Sequence, residues 1–151
     1  MRFSFRLQSL LNWKRSLEES SQMRLAEKIK QLKIQEEEIR LLIQQRVEKD
    51  QELNGKMRSP VNLGEYLTYK QFGEDSYYDL LRRENQKERK KGEIEGEREN
   101  LVGLMKERKM LERIKEKRLK KFIYQLEKLD QKNVDEMVIR QVPAAYKENI
   151  S

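Results

Sequence analysis

Apolar residues recurring at steps of three and four, on both sides of one cluster of turn-formers, constrain this chain more than any other feature. From Leu25 the positions run Leu25, Ile29, Leu32, Glu36, Ile39 and Ile43, a heptad seam with one charged intruder. Upstream, Leu7, Leu10, Lys14, Leu17 and Ser21 follow the same steps. Ser21 to Leu25 then adds four where three is due, which predicts a stutter that locally relaxes the supercoil. A second seam runs through Leu101, Leu104, Arg108, Leu111, Lys115, Arg118, Phe122, Leu126, Leu129, Asn133 and Met137. Each seam buries one narrow stripe and leaves the rest of its helix in water. With 40% of the 151 residues charged and only two prolines and six glycines, the chain suits long helices better than a compact core.

The turn-formers collect in "NGKMRSPVNLG", residues 54–64. Asn54-Gly55 and Ser59-Pro60 both punctuate, and Pro60 cannot sit inside a helix without losing a hydrogen bond. Asn62 can cap a new helix, with Glu65 three residues on in a capping-box-like pattern. The expected architecture is all-α and a single domain: helix 1 over about residues 3–53, a bend at 54–62, helix 2 over about 63–141, and a frayed tail at 142–151. Folding back as an antiparallel two-helix coiled coil, a helical hairpin, buries both seams. With a bend near residue 58, Phe3 falls opposite the neighbourhood of Arg113. Roughly two dozen residues of helix 2 are then left without an intramolecular partner, at about 1.5 Å of rise per residue. Gly73, Gly92, Gly96 and Gly103 each cost about 1 kcal/mol against Ala in a helix interior and predict a stretch that bends or breathes.

The chain has little material for catalysis. It contains no histidine and no cysteine, and neither a glycine-rich phosphate cradle nor a metal-ligand spacing is present. Carboxylate runs such as Glu36-Glu37-Glu38 lie on a solvated helix, with no cleft to point into and no burial to move their pKa. The expectation is a protein that is not an enzyme, with no cofactor and no metal. Absence of cysteine is compatible with a reducing compartment. The longest apolar run is far short of the roughly 20 residues of a spanning helix. The cationic, acid-free start of the chain superficially resembles a transit peptide, but it lacks a continuous apolar middle and reads as the opening turns of an amphipathic helix.

Charge and aromatic placement carry the functional signal. "LMKERKMLERIKEKRLKKF", residues 104–122, holds nine cations, and the segment 87–121 holds fourteen Lys/Arg against eight Glu. Such a stretch is a solvated coiled-coil face, a surface for an acidic protein, or a contact for nucleic acid or anionic lipid. A zipper-type basic region is nearly free of acids, whereas Glu107, Glu112 and Glu116 sit among these cations. Near the bend, "EYLTYKQFGEDSYY" places Tyr66, Tyr69, Phe72, Tyr77 and Tyr78 around most of a helix circumference, more rings than one seam can bury. Leu42 is surplus to a seam formed by Ile39 and Ile43. Leu42, Tyr69 and Phe72 are therefore expected to face a partner.

Taken together, "FSFRLQSLLNWKRSLEE", "LMKERKMLERIKEKRLKKF" and "DQKNVDEMVIRQ" resemble the FliJ family of bacterial flagellar export proteins over nearly the whole chain. Leu111, Glu112, Lys115, Lys117 and Arg118, followed by Asp135-Glu136, weigh most in that likeness. The resemblance implies a coiled coil similar to the rotor stalk of rotary ATPases. It further implies a cytoplasmic component of the type III export apparatus, peripheral at the inner membrane, that associates with the hexameric export ATPase, the cytoplasmic domain of the FlhA export gate and export chaperones. Carried over by position, Arg108, Lys109, Arg113, Lys115 and Arg118 suit the ATPase, and Leu42, Tyr69 and Phe72 suit the gate. Nucleic acid is not an expected partner on this reading. A basic helical protein for nucleic acid and a generic coiled-coil spacer are the alternatives.

Overall fold

The computed structural model describes residues 2–141. Two helices, α1 (Gln8–Lys56) and α2 (Leu63–Gln141), pack antiparallel as a helical hairpin, and no strand occurs among the described residues. The expected tail at 142–151 lies outside the described residues.

The break between the helices is made at Ser59-Pro60. Asn54 and Gly55, assigned to the bend from sequence, lie inside α1, and neither has a positive φ. A proline disfavours the helical region for the residue before it. Ser59 responds by turning both its N–H and its Oγ onto the Lys56 carbonyl, at 3.1 Å each, which satisfies an acceptor left free at the helix end. Asn62 caps α2, its Oδ1 accepting from the Gly64 N–H at 2.9 Å. Glu65 does not close the expected capping box. Its carboxylate is taken by Lys56 Nζ across the turn at 3.1 Å, while it remains well placed for the positive end of the helix.

The described residues form two compact units. One joins the N-terminal residues up to Arg15 with the chain from Met105 onward. Its core is Phe5, Leu11 and Leu111, flanked by Phe3, Leu7 and Ile114. Here α1 begins at Gln8 rather than near residue 3, and the reason is legible in Phe3-Ser4-Phe5. This segment is not helical, and both rings reach α2. Phe3 meets Phe122 with ring centroids 5.5 Å apart, and the Arg118 guanidinium lies 5.6 Å from the centre of the Phe5 ring. Phe3 therefore lies beyond the expected neighbourhood of Arg113, because an extended residue advances about 3.3 Å where a helical one rises about 1.5 Å. The unpaired part of α2 is correspondingly shorter than expected. From Glu127 to Gln141 every residue is exposed.

The other unit spans residues 16–104. The heptad positions covered on α1 are Glu18, Ser21, Leu25, Lys28, Leu32, Gln35, Ile39, Leu42, Arg46 and Leu53, with Leu17 and Ile29 half-buried beside them. Up to Arg46 these alternate steps of three and four without a stutter, which corrects the expectation at Ser21–Leu25. Leu42, not Ile43, belongs to the seam, and Glu36 is exposed. Leu25, Leu32 and Ile39 are shared by the expected and observed seams, and the positions between them are Lys28, Gln35 and Leu42 rather than Ile29, Glu36 and Ile43. On α2 the facing positions are Tyr69, Gly73, Ser76, Leu80, Arg83, Lys87, Lys90, Ile94, Glu97, Leu101 and Leu104, again with no break in the heptad.

Polar layers hold this seam in register. Ser21 is fully buried and donates to Glu97 Oε1 at 2.7 Å, with Arg24 Nε on the same oxygen at 3.2 Å and Asn100 Nδ2 donating to the Ser21 hydroxyl at 3.4 Å. Arg46 donates to the Gly73 carbonyl at 2.9 Å and to Ser76 Oγ at 2.6 Å. Between them, Arg83 reaches Glu38 at 2.8 Å and Lys90 reaches Gln31 at 2.9 Å. Gln35 Oε1, in the same seam, is buried with no hydrogen-bond partner. Nothing in the packing offsets that cost.

α2 runs uninterrupted through Gly73, Gly92, Gly96 and Gly103, so the expected bend there is not a break in the helix. A Cβ built on Gly92 or Gly96 would meet nothing within 4 Å. Gly92→Ala with Gly96→Ala should therefore stabilise the protein by about 1–2 kcal/mol in sum, read as a higher melting temperature. A lower one would show that these glycines serve the native packing.

Glu97 gives the fold a pH dependence. The Ser21 hydroxyl, aided by Arg24 and Asn100, holds its carboxyl below the ordinary value of 4.5, against the upward push of burial. A folded pKa below the unfolded one adds stability above the unfolded value and loses it as pH falls through the folded value. Acidification below about pH 4.5 should thus lower the melting temperature of the native protein more than that of Glu97→Gln. Parallel curves for the two proteins would contradict this role.

Candidate functional site

The five cations singled out from sequence divide into two groups. Arg108, Lys115 and Arg118 occupy seam positions on α2. Arg108 bonds Glu112 at 3.0 Å, and Glu112 also accepts from Arg15 at 3.3 Å. Burial pushes the Glu112 carboxyl up, but the hydrogen bonds of Arg108 and Arg15 outweigh it and hold the group below its ordinary value. Lys115 is half-buried beside a recess formed with Arg2, Phe3, Ser4, Phe5 and Gln8. Arg118 covers Phe5. A cation over an aromatic face gains electrostatic attraction and shields the ring from water. These three side chains thus serve the packing of their own unit. Arg118 is nevertheless exposed, as are Lys109 and Arg113, which make no ion pair among the described residues.

The aromatic cluster also divides. Tyr69 and Phe72 are half-buried, whereas Tyr66, Tyr77 and Tyr78 are exposed, Tyr78 to 69%. Tyr69 is tied down at both ends: its hydroxyl donates to Glu52 at 3.1 Å and Lys56 Nζ stands 5.1 Å from its ring centre. Tyr69 and Phe72 line an open recess with Lys49, Lys56, Glu65 and Thr68, so each ring keeps one accessible edge. Tyr77 and Tyr78 pack edge to face, with Arg46 over Tyr77. The excess of rings over what the seam can bury is real, but it falls on Tyr66, Tyr77 and Tyr78.

No group of His, Cys, Asp and Glu among the described residues is arranged to hold a metal ion, and no helix among them is long and apolar enough to cross a membrane. Two surfaces remain as candidates: the cationic part of α2 and the aromatic recess near the turn.

The model of the family described as "Flagellar FliJ protein" matches residues 3–145. The chain belongs to the FliJ family. No curated protein and no solved structure matches it. As a FliJ-family chain it is a flagellar export component of helical coiled-coil type. The candidate cations chosen from sequence left out the outward-facing Lys106 and Lys117, which join Lys109 and Arg113 around Met110. The signal that finds them is their offset from the seam: each lies two residues from a seam position, on the other side of the helix.

Half-burial of Phe72 has a measurable consequence. Phe72→Ala should lower stability by about 1–2 kcal/mol, a fraction of the cost at a fully buried ring. Tyr78→Ala should stay within about 0.5 kcal/mol of the native protein. Thermal melting followed by circular dichroism checks both. Equal effects would mean that the burial pattern around the turn is wrong.

Proposed function

We propose that this FliJ-family chain is a non-enzymatic, cytoplasmic component of the flagellar type III export apparatus that docks on the hexameric export ATPase through the cationic part of α2. The observation that carries the reading is the concentration of nine cations in residues 104–122 of a two-helix coiled coil whose family is flagellar. A stiff helix presents such charges as a set. Each exposed pair alone is worth about 0–1 kcal/mol, but together they steer association and fix orientation.

The aromatic recess suits the cytoplasmic domain of the FlhA gate. Tyr69 and Phe72 supply an apolar edge between Lys49, Lys56 and Glu65, and Leu42, half-buried in the seam, adds less to such a surface than its exposed neighbour Ile43. Export chaperones are a third class of partner, and membrane association at the cytoplasmic face follows from these contacts. No cofactor is required for any of them. Support for the non-enzymatic reading comes from the chemistry on display: carboxylates on wet helix faces and shallow surface recesses, with no histidine or cysteine in the chain.

Co-elution with the flagellar export ATPase tests the central point. The complex should form at about 0.1 M salt, weaken toward about 0.5 M as exposed charges are screened, and be lost on reversing all five of Arg108, Lys109, Arg113, Lys115 and Arg118. Binding that ignores salt, or a preference for duplex DNA over the ATPase at physiological salt, would sink the reading.

A further inference from the structure

The seam of the unit spanning residues 16–104 has two flanks, and their contents differ. Glu38 and Phe72 mark the flank that holds the aromatic recess. On the other, Ile43 and Val47 of α1 follow the seam positions Leu42 and Arg46 by one residue, and Tyr77 and Leu81 of α2 follow Ser76 and Leu80 by one. One residue is about 100° around a helix, and equal offsets in an antiparallel pair come to the same side. Arg46 reaching over the Tyr77 ring marks this side from both helices. The four apolar side chains are each 45–49% exposed. Charge bounds them, with Arg40 and Asp50 on α1 and Lys70 and Glu84 on α2. None of these charges is spent on the opposite helix. Asp50 and Lys70 make no ion pair among the described residues, Arg40 bonds Glu37 and Gln44 of its own helix, and Glu84 has Lys87 at 3.9 Å.

We propose that this face pairs with the same face of a second copy of the chain, the two hairpins stacked antiparallel about a two-fold axis that crosses the face at the level of Gln45. A two-fold axis brings together residues at equal distances on either side of it. Ile43 and Val47 each stand two residues from that level, so Ile43 packs on Val47 of the second copy. Arg40 and Asp50 each stand five residues from it, so Arg40 faces Asp50 of the second copy. Glu38 faces Arg83, so seven residues further on Gln45 is level with Ser76. Tyr77 therefore lies beside the axis, and Lys70 and Glu84 fall within about 3 Å of opposition along the rod, which their side chains span. Apolar meets apolar and cation meets anion on both helices. This self-complementarity of sign selects a second copy over an unrelated protein, which would owe nothing to the symmetry. Stacking with the axis along the rod instead sets Arg40 on Leu81 and brings Glu36 beside Glu84. The patch is about 20 Å long and two helices wide, about 400 Å² per copy, which belongs to the weak, reversible class of interface.

Sedimentation of the full chain over a concentration series tests the pairing. The native protein should pass from monomer to dimer with a midpoint of about 10–100 μM. Arg40→Asp and Asp50→Arg each set like charges across the axis, twice per dimer, and each should weaken the dimer about tenfold or more. An equal mixture of the two variants should recover it, because one chain then supplies acids at both positions and the other supplies bases. Both positions are exposed, so melting temperatures should stay within a few degrees of the native value, and ATPase binding should be unchanged in both variants. A native chain that stays monomeric to about 200 μM overturns the proposal. Dimerisation of the single variants at the native midpoint also overturns it, since the contact then uses another face. Failure of the mixture to recover the dimer rules out the two-fold pairing of Arg40 with Asp50 and overturns it too. If the native chain is monomeric and Tyr77→Ala loses binding to the gate domain or to a chaperone, the face belongs to that partner instead.

Discussion

A hydroxyl buried in a helix seam must bond to something there, and the Ser21–Glu97 hydrogen bond is where this structure meets that requirement. At 2.7 Å, with Arg24 and Asn100 closing the same cluster, it satisfies groups that would otherwise oppose burial. Arg46 with Ser76 and the Gly73 carbonyl forms a second layer of the same kind. Apolar layers alone tolerate sliding by a heptad, since Leu packs on Leu wherever it lands. A carboxylate facing a serine does not, because sliding strands both groups without partners. In each unit the register can be read from facing pairs. In one, Gln31–Lys90, Glu38–Arg83 and Lys56–Glu65 have residue numbers that sum to 121, and in the other so does Lys14–Glu107.

A seam built this way is stable for reasons other than a large core. Five hydrophobic residues are buried among those described: Phe5, Leu11, Ile39, Ile94 and Leu111. Three of them belong to the unit that holds both the N-terminal residues and the cationic part of α2. That unit is therefore the more apolar of the two in its packing, although its sequence is the more basic. The two properties coexist because a helix separates them by angle. The extended Phe3-Ser4-Phe5 segment adds to the apolar side by laying two rings on α2 beyond the start of α1, with Arg118 folded over one of them.

The hairpin was legible in the sequence because its two strongest signals, heptad spacing and the Ser59-Pro60 break, both act locally. The exact seam on α1 was less legible. Leu42 and Ile43 are both apolar, so hydropathy alone does not separate them; Lys28, Gln35 and Arg46 hold seam places that a hydropathy pattern passes over, Arg46 through hydrogen bonds to the Gly73 carbonyl and Ser76. Taking Leu10 and Leu17 where the seam takes Leu11 and Glu18 produced the stutter after Ser21, a residue that belongs to the heptad on either reading. Which rings are covered was less legible, because Tyr69 and Phe72 differ from Tyr77 and Tyr78 only by their angle to a seam that the sequence pattern does not place over residues 66–78. The start of α1 was within reach, since alternating Phe3 and Phe5 is a strand-like period.

Angle also settles what a cation on α2 can do. Arg108 and Arg118 stand where the two helices meet, and each gives its charge to a neighbour in its own unit, a carboxylate or a ring face. Arg113 and Lys117 stand on the far side and give theirs to solvent. Substituting a seam cation therefore tests folding and binding together, while substituting an outward one tests binding alone. A basic segment read as a string hides this distinction, because its net charge is the same whichever way the helix is turned. Once the seam is placed, Arg108 and Lys115 are seen to be half-buried there, while Lys109, Arg113 and Lys117 keep both their exposure and a common orientation. A partner must match that orientation, which is a stricter demand than complementarity of charge.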